Sequence, residues 1–435
     1  MAEPKAMTPF HLRTTCRLCG GVLVPAFELT PTPPANELVS YEFLYGGDLK
    51  VESGEKQDEF PLPLASCSVC GHVQLTCVVD PARLFANYPY RSGASPVFRK
   101  HLEKYARGLV ERFGTPKFLL EIGSNDGTFL NFFVGPNDKP FGGRVLGVEP
   151  DPRCCDASAF EGLAVVQGFF SEKMARRFRT KFGNADLIVA NHVLAHADDL
   201  VDIVKGVHTL LSDDGVFVFE VGYLGDVVEK CLWDVIYHEH LSYHHLRPLI
   251  RFLDPLGLNV FDAERVDTQG GSLRVYCRKN LHEGNHLSKR AEEIVIWEKE
   301  NGLRNPDNVR PTLLRMSEHI EESCDWIRNT LGEMKLHQAR IAGYGAPAKC
   351  VTMLHHLGIG RETIDYIVDD NPVKLGKFIP GKGIEIRPVD ALYRTDMRPD
   401  VVLLLGWNFA EDIIKRHPGF RWVVPAGPMK GVVEA

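Results

Sequence analysis

Residues 118–127 read FLLEIGSNDG, an apolar run that ends in a glycine-rich turn. Residues 144–150 read RVLGVEP, a second apolar run that ends in the acid Glu149. A buried strand, a turn that lets a ligand approach the backbone, a helix and a second strand ending in an acid form a nucleotide-binding βαβ unit. Glu149 follows Gly127 by 22 residues, close to the interval at which such an acid reaches both ribose hydroxyls. The pattern predicts a Rossmann-like α/β sheet.

The turn has the form ExGxNxG and not GxGxxG, so a dinucleotide pyrophosphate is not its best-fitting ligand. S-adenosylmethionine has no phosphate, and a turn that only admits an amino acid and a ribose suits it. Residues 186–196, DLIVANHVLAH, are typical of a fourth strand that runs into the cofactor face. The alternative is a plain α/β core with incidental glycines. The expected cofactor-binding residues are Glu121, Gly123, Asn125, Gly127, Glu149, Gln167, Phe169 and Asn191.

Two CxxCG motifs supply four thiols with the spacing of metal ligands, Cys16 with Cys19 and Cys67 with Cys70. A gap of two residues lets both sulfurs of a pair reach one tetrahedral ion, and the glycine after each pair relieves backbone crowding. Four thiolates favour Zn²⁺. Such a closed site stabilises a small lobe and does no chemistry. The alternatives are buried free cysteines or a redox CxxC pair.

Composition limits the class of protein. The 435 residues suggest two or three domains, and 44% hydrophobic with 25% charged residues is typical of a globular chain. The net charge of −7 argues against a nucleic-acid partner. There is no apolar run of about 18 residues, so we expect no membrane partner. Eleven cysteines suit metal binding or core packing in a cytoplasmic protein.

Residues 233–245, WDVIYHEHLSYHH, concentrate groups that can move protons. Imidazole exchanges protons near neutral pH, a neighbouring carboxylate can hold its tautomer, and a tyrosine can donate a hydrogen bond to an enolate oxygen. A second metal site is the competing interpretation, but the HExxH spacing is absent. His244 and His245 can also simply cover a helix. The segment predicts acid–base chemistry.

A second Rossmann-like start lies at residues 340–349, RIAGYGAPAK, with two acids, Asp369 and Asp370, after the next apolar run. Here GxGxxA is present, which favours a rival function, an NAD-dependent sugar-nucleotide oxidoreductase or epimerase. A further alternative is that the second unit is a duplicated fold with a structural role only. Another is that the whole chain is a zinc-stabilised binding protein without catalysis.

Taken together, the motifs CxxCG, EIGSNDG, GVEP, ANHVLAH, IYHEHLSY and QGGSLRVY occur in the order found in bacterial sugar C-methyltransferases. The chain resembles that family from Cys16 to about Pro425. The resemblance implies methyl transfer from S-adenosylmethionine to C3 of a dTDP-linked 4-keto-6-deoxy sugar. The 4-keto group acidifies the C3 hydrogen, so a base can form an enolate whose carbon takes the methyl group.

The resemblance also implies residue roles. His240 is the expected base, Glu239 its orienter, Tyr237 the oxyanion donor, and His196 a further active-site histidine. Tyr88 or Tyr90 resembles a tyrosine that covers cofactor and substrate. The implied substrate-binding residues are Gly271, Gly343, Tyr344, Gly345, Ala346, Lys349, Asp369 and Asn371, with Lys349 as countercharge to the diphosphate. The chain departs from the family at Cys350, where a glycine is usual.

The predicted fold class is α/β with three domains. Residues 1–85 form a four-cysteine zinc lobe, residues 86–285 a class I methyltransferase domain, and residues 286–435 a second Rossmann-like domain for the sugar nucleotide. The expected cofactors are S-adenosylmethionine and structural Zn²⁺, the partner is a nucleotide-linked sugar, and the chain works as a monomer or small homo-oligomer. The sugar lies between the domains, where pockets are favoured.

Overall fold

The computed structural model describes residues 10–45, 57–85, 89–135, 139–140, 143–279, 286–427 and 429–434. Within these ranges the chain is a mixed α/β protein with two Rossmann-like sheets and an amino-terminal lobe. No helix in the described part combines the length and apolar character that a membrane span requires.

The amino-terminal lobe is a small antiparallel assembly. Its elements are β1 Phe10–Leu12, β2 Leu23–Thr32, α1 Tyr41–Tyr45, β3 Phe60–Cys67, β4 Val73–Leu75, β5 Cys77–Val79 and α2 Pro81–Phe85. Strands β2, β3 and β4 pair in sequence order, and β1 pairs with β5. The four cysteines lie at the β1–β2 and β3–β4 connections, so the predicted CxxCG motifs form two facing turns.

The central domain contains a seven-stranded sheet. Its strands and those nearby are β6 Phe118–Ile122, β7 Val134–Gly135, β8 Lys139–Pro140, β9 Arg144–Glu149, β10 Val165–Gln167, β11 Ala185–Asn191, β12 Leu211–Gly222, β13 Ser242–Tyr243, β14 Asn259–Val266 and β15 Ser272–Arg278. The helices are α3 Pro96–Phe113, α4 Thr128–Asn131, α5 Pro152–Phe160, α6 Glu172–Phe182, α7 Leu200–Leu210, α8 Leu224–Glu229 and α9 Leu246–Leu253, with 3-10 turns at Ser92–Ala94, Trp233–Val235 and Asp254–Leu256.

The strand order is β10-β9-β6-β11-β12-β15-β14, and β15 runs antiparallel to both neighbours. This is a Rossmann-like sheet with one antiparallel strand near its edge, which confirms the predicted α/β fold class. Strands β6, β9 and β11 are the apolar runs of the sequence, since parallel strands covered on both faces read as continuous hydrophobic stretches. Their carboxyl ends meet at one edge, where a doubly wound sheet binds its ligand.

Helix α3 shows how the sequence sets one wall of that edge. The Ser95 side chain accepts a hydrogen bond from the Phe98 amide, and Pro96 occupies the first turn, where no amide is needed. Phe98, Leu102 and Leu109 are buried at helical spacing against the sheet. The turn before the helix lies at the same edge, since the amides of Ser92 and Gly93 donate to the side chains of Asn125 and Asp126.

The carboxy-terminal domain is a second doubly wound sheet. Its elements are α10 Lys289–Glu300, α11 Pro306–Leu336, β16 Ile341–Tyr344, α12 Ala348–Leu357, β17 Tyr366–Val368, β18 Ile386–Arg387, β19 Val401–Leu404, α13 Ala410–Arg416, β20 Arg421–Val424 and β21 Gly431–Glu434, with 3-10 turns at Pro372–Lys374, Val389–Tyr393 and Trp407–Phe409. The order is β18-β17-β16-β19-β20-β21, parallel except for β21. Its topological switch point lies between β16 and β19.

The segment 233–245 joins all three parts of the molecule. Strand β13 pairs antiparallel with β4 of the amino-terminal lobe, although it lies in the central domain by sequence. Trp233 and Ile236 belong to one buried cluster with the lobe and the carboxy-terminal domain. Helices α11 and α12 pack on β2, so the lobe is held between the two larger domains. The domain boundaries at residues 85 and 285 stay predictions.

Candidate active site and metal centre

The four cysteines lie as one metal ion requires. Their sulfur atoms are all within 4.8 Å of one another. The Sγ atoms of Cys16 and Cys70 are 3.7 Å apart, and those of Cys19 and Cys67 are 3.4 Å apart. Tetrahedral zinc with sulfur at about 2.3 Å has sulfur–sulfur edges of about 3.8 Å, so the geometry fits.

Each CxxCG turn also supplies amide donors to its first thiolate. The amide of Leu18 donates to the sulfur of Cys16 at 3.4 Å, and that of Val69 to the sulfur of Cys67 at 3.3 Å. The glycines that follow have positive φ, 72° at Gly20 and 80° at Gly71, a conformation that glycine adopts without strain. These turns explain the repeated glycine.

The cofactor turn is held by the acid at the end of β9. The backbone amide of Asn125 donates to Oε2 of Glu149 at 2.9 Å, and the amide of Asp151 donates to Oε1 at 2.9 Å. Gly127 has φ of 77°, a conformation that is strained for residues with a side chain, and a Cβ there would lie 2.3 Å from the side chain of Leu163. Burial raises the pKa of Glu149.

Glu121 and Asn191 meet on neighbouring strands of the same edge. The Asn191 side-chain amide donates to Oε1 of Glu121 at 3.0 Å. Oε2 of Glu121 and Oδ1 of Asn191 are buried without a hydrogen-bond partner among the described residues. Burial raises the pKa of Glu121 well above its usual value. Two orphaned acceptors beside the turn fit a ligand with a donor, such as the ammonium of S-adenosylmethionine.

The remaining predicted cofactor residues lie close by in the fold. Gln167 of β10 is paired with Glu149 of β9, so both residues lie at the same edge of the sheet. Phe169 follows two residues later and is 53% exposed, which leaves its ring free to cover a ligand. Gly123 has φ of 70°. The structure brings all eight predicted residues to the carboxyl ends of β6, β9, β10 and β11.

The catalytic segment pairs a tyrosine with a histidine. The Tyr237 hydroxyl lies 2.8 Å from Nε2 of His240, and Nδ1 of His240 lies 2.8 Å from the carbonyl oxygen of Val235. A carbonyl can only accept, so Nδ1 carries the proton, and Nε2 accepts from the tyrosine hydroxyl. Burial lowers the pKa of His240 to about 4, so its imidazole is neutral near pH 7.

His196 stacks on this pair. Its ring lies 5.2 Å from that of His240 and 5.7 Å from that of Phe85, nearly parallel to both. The amides of Leu241 and Ser242 both donate to the carbonyl of Ala195, which fixes the two segments together. Burial holds the pKa of His196 well below its usual value. The structure thus brings together the two histidines predicted for the active site.

Glu239 differs from the sequence-based expectation. Its carboxylate accepts a hydrogen bond from Asn36 at 2.8 Å, while the carbonyl of Val235 holds His240. The expectation that Glu239 orients His240 is therefore wrong for this structure. The physical reason is local geometry: Tyr237 and His240 face one side of the segment and Glu239 faces the amino-terminal lobe.

Of the two candidate tyrosines, Tyr88 lies outside the described residues. Tyr90 lies at the cofactor turn, where its carbonyl accepts from the Asn125 side chain at 3.2 Å and its hydroxyl accepts from Gln269 at 3.3 Å. Gly271, also predicted for the substrate, has φ of 136°, and a Cβ there would lie 2.2 Å from Asp226. The QGG turn therefore lies beside the same site as Tyr90.

A hydrogen-bonded network around Glu220, at the cofactor edge of the central sheet, was not indicated by the sequence motifs. Glu220 on β12 is 1% exposed and accepts from His101 of α3 at 3.0 Å and from Arg274 of β15 at 2.8 and 3.0 Å. His192 lies 3.5 Å away and has φ of 56°, unusual for a residue with a side chain. Two members of the network lie inside motifs named above, His192 in ANHVLAH and Arg274 in QGGSLRVY, but neither motif pointed to Glu220.

The second glycine turn repeats the arrangement of the first. The Ala346 amide donates to Oδ2 of Asp369 at 2.6 Å, and the Asn371 amide donates to Oδ1 at 2.8 Å. Gly345 has φ of 87°, and a Cβ there would lie 3.1 Å from the backbone of Gly406. The acid after the second strand thus holds the turn after the first, as Glu149 does in the central domain.

Two other predicted substrate residues are turned into the core. Tyr344 is 1% exposed, and its hydroxyl lies 3.0 Å from both Asp370 and His417. The ammonium of Lys349 donates to Asn408 at 2.5 Å and lies 3.8 Å above the Trp407 ring. Burial lowers the pKa of Lys349 to about 8. Its predicted role as a diphosphate countercharge receives no support from this position.

Gly343 and Cys350 have packing roles in the carboxy-terminal domain. A Cβ at Gly343 would lie 2.7 Å from Ile367 on the neighbouring strand, so this glycine serves close strand packing. Cys350, at the family's glycine position, lies inside α12 and is 1% exposed. It packs within the domain.

Comparison with known proteins matches three domain families in order. A zinc-binding domain family matches residues 16–85, a methyltransferase domain family residues 98–263, and a C-methyltransferase C-terminal domain family residues 267–425. The C-methyltransferase NovU of Streptomyces niveus is 29% identical over 419 residues, which cover 94% of both chains.

Two solved structures resemble part of the chain. The magnesium protoporphyrin IX methyltransferase of Synechocystis PCC 6803, determined with bound SAH, is 13% identical with a TM-score of 0.33, over 41% of this chain and 83% of that one. The CcbJ methyltransferase of Streptomyces caelestis is 13% identical with a TM-score of 0.33, over 45% and 95%. The three domain families, the NovU relative and the cysteine cluster together support an S-adenosylmethionine-dependent C-methyltransferase with a zinc-binding domain.

Proposed function

We propose that the methyl acceptor is a nucleotide-linked 4-keto-6-deoxy sugar and that the methyl group is placed on C3 through an enolate. The observation that carries the proposal is the neutral His240, with its Nδ1 proton committed to the Val235 carbonyl and its Nε2 lone pair turned toward the Tyr237 hydroxyl. A carbon acid next to a ketone needs such a base and a nearby hydrogen-bond donor.

The proposed chemistry begins at the C3–H bond of the sugar. Its proton moves to Nε2 of His240, and its electron pair forms the enolate. The Tyr237 hydroxyl, released from Nε2 as the sugar enters, donates to the enolate oxygen. The imidazolium that forms keeps its Nδ1 proton on the Val235 carbonyl, which stabilises the positive charge. His196, stacked on His240 and neutral, keeps a competing charge away from this step.

The first glycine turn, residues 123–127, is the proposed binding site of the methyl donor. Glu149 holds that turn, and the free acceptors of Glu121 and Asn191 suit the donor's ammonium group. When bound, S-adenosylmethionine supplies an electrophilic methyl group on sulfonium. The half-buried rings of Phe85 and His196 help to keep water from the enolate, which would otherwise take up a proton.

The sugar nucleotide is proposed to occupy the second glycine turn. Gly345 lets a ligand approach the backbone at the start of α12, and amides at a helix start favour a diphosphate. Lys374 lies at this turn, with its ammonium 2.9 Å from the Ala346 carbonyl and 3.3 Å from Asp369, and being less buried than Lys349 it is our proposed countercharge. Both proposed substrates are cytoplasmic metabolites, so we place the enzyme in the cytoplasm, as a monomer or small homo-oligomer.

The test is incubation of purified protein with S-adenosylmethionine and a panel of nucleotide-linked 4-keto-6-deoxy sugars, followed by mass spectrometry. We expect one added methyl group on a sugar, matched by released S-adenosylhomocysteine, and NMR of the product to place the methyl on C3. A methyl group on another carbon would overturn the assignment to C3. If no sugar is methylated and the protein retains NAD tightly, the proposed acceptor and chemistry are both overturned.

A further inference from the structure

The side chain of Asn36 links the amino-terminal lobe to Glu239 of the catalytic segment. Asn36 follows the buried residues Pro33, Pro34 and Ala35, and the two prolines restrict the backbone before it. Its side-chain amide donates to Oε1 of Glu239 at 2.8 Å, across 203 residues of sequence. Because the two residues are far apart in the sequence and the segment before Asn36 is stiff, this hydrogen bond depends on the tertiary fold and not on local backbone preference.

The other oxygen of Glu239 is available. Glu239 is 1% exposed, and its Oε2 has no hydrogen-bond partner among the described residues. The residue lines a cavity of about 680 Å³ to which all three domains contribute, with Arg153 from the central domain and Lys377 from the carboxy-terminal domain. A buried carboxylate oxygen without a partner is costly unless a ligand supplies the donor.

We propose that Asn36 is a positioning residue of the active site, which fixes the Glu239 carboxylate so that Oε2 accepts a hydrogen bond from a hydroxyl of the acceptor sugar in this cavity. The lobe that holds the zinc then also shapes the substrate site. The identity of the acceptor rests on the proposed function, while the positioning of Glu239 by Asn36 does not.

The electrostatics of Glu239 make the contact measurable. Burial raises the pKa of Glu239 to about 7, and the side-chain amide and backbone N–H of Asn36 act in the opposite direction. Glu37 on the same loop raises the pKa further. The other titratable groups that line the cavity or neighbour Glu239 in its segment are Arg83, Arg153, Lys377, Tyr237, His238 and His240.

The first experiment needs no substrate. The titration of Glu239 is followed by carbon NMR of the zinc-loaded protein with carboxyl-labelled glutamate, its signal being the one lost in Glu239→Gln. Loss of one hydrogen bond to the carboxylate in Asn36→Ala should raise the midpoint by about 0.5 to 1 pH unit. Asn36→Leu, which keeps the volume without the donor, should do the same, and Asn36→Gln should restore part of the shift.

Asn184→Ala is the matched control. It removes an asparagine whose amide donates to the Leu211 carbonyl at 3.2 Å, at the opposite edge of the central sheet, and it should leave the midpoint unchanged. Zinc content measured on every variant shows that the lobe is intact. An unchanged midpoint in both Asn36→Ala and Asn36→Leu would overturn the positioning role, whatever becomes of the methyl-transfer proposal.

The second experiment uses the sugar that the enzyme methylates. Asn36→Ala should lower kcat/KM about 10-fold or more, mainly through KM, with unchanged affinity for S-adenosylmethionine. Glu239→Gln should lose a similar amount, and the double variant no more than the larger single loss. If the kcat/KM losses of the two single variants multiply in the double variant, Asn36 and Glu239 act independently and the proposed positioning role is overturned. A panel without any methylated sugar would defeat the proposed function and leave the titration to decide the role of Asn36.

Discussion

The hydroxyl of Tyr237 donates a 2.8 Å hydrogen bond to Nε2 of His240, on an imidazole whose Nδ1 is held by the backbone of Val235. Because a backbone carbonyl fixes the tautomer, no carboxylate is required to present the lone pair of Nε2. Burial lowers the pKa of His240 to about 4, against the opposite effect of the hydrogen bond to Val235, so the base is unprotonated throughout the neutral range.

Replacement of His240 by alanine tests this arrangement. We expect methyl transfer to fall by about 100-fold or more, with solvent exchange of the acidic sugar hydrogen lost and S-adenosylmethionine affinity unchanged. Exchange is followed by NMR in heavy water, and affinity by calorimetry. His319→Ala, on the exposed face of α11, is the control and should behave as the parent. Exchange retained in His240→Ala would move the base to another group, first of all His196.

The cofactor turn gives a second prediction. Glu149→Gln replaces one carboxylate oxygen by an amide that cannot accept from a backbone N–H, so one of the bonds to Asn125 or Asp151 is lost. We expect S-adenosylmethionine affinity to fall about 10-fold or more by calorimetry, because the turn and any ribose contact weaken together. Glu161→Gln, an exposed acid after α5, should bind normally. Equal affinities in the two variants would exclude this role of Glu149.

Much of the fold could be predicted because its signals are local. Strands β6, β9 and β11 are covered on both faces and therefore appear as apolar runs, each followed by the turn or acid that its position demands. The two CxxCG turns are equally local, since each fixes its own pair of sulfurs. Their meeting at 3.4 to 3.7 Å required only that two similar turns face one another.

What could not be predicted depends on contacts between distant segments. The pairing of β13 with β4, the hydrogen bond from Asn36 to Glu239, and the approach of His101 to Glu220 leave no periodic pattern in the sequence. The family resemblance implied that Glu239 orients His240, and the two residues are adjacent in the chain. Side chains at neighbouring positions of an irregular segment can face different ways, and here they do.

Removal of one zinc ligand gives a third prediction. Cys19→Ser should lower zinc content, measured by elemental mass spectrometry, because three thiolates hold the ion less well than four. The lobe and the β4–β13 pairing should then loosen, so thermal unfolding begins at lower temperature. Cys231→Ser, a half-buried cysteine away from the cluster, should keep one zinc per chain. Full zinc occupancy in Cys19→Ser would contradict the four-ligand site.

Buried neutral histidines predict how stability depends on pH. Burial lowers the pKa of His238 and His244 to about 4 and of His245 to about 3. An unfolded histidine titrates near 6.5, so between pH 6.5 and 4 the unfolded chain binds more protons and stability falls as the pH falls. Shifts of this size correspond to about 3 to 5 kcal/mol for each group. Urea unfolding should therefore show a lower midpoint at pH 5 than at pH 7.

Buried acids act in the opposite direction, and those with a raised pKa are Glu121, Glu149, Asp234, Glu239 and Glu298. Burial raises the pKa of Glu239 and Glu298 to about 7, so their contribution is lost as the pH rises from about 4.5 to 7. The more numerous histidines should dominate between pH 5 and 6.5. His238→Gln keeps a donor for the Phe60 carbonyl but cannot titrate, so it should reduce the pH dependence by about one proton. An identical pH dependence in parent and variant would exclude a buried neutral His238.

The second glycine turn supports the last prediction. In Gly345→Ala a methyl group would lie 3.1 Å from the Gly406 backbone at a φ of 87°, a conformation unfavourable for alanine. The turn should shift away from Asp369, and the affinity for a nucleoside-diphosphate sugar should fall about 10-fold or more by calorimetry, with S-adenosylmethionine affinity unchanged. Gly332→Ala, at an open helical position in α11, should bind both ligands normally and be slightly more stable. A loss of S-adenosylmethionine affinity alone in Gly345→Ala would place the sugar nucleotide elsewhere and leave this domain with a structural role.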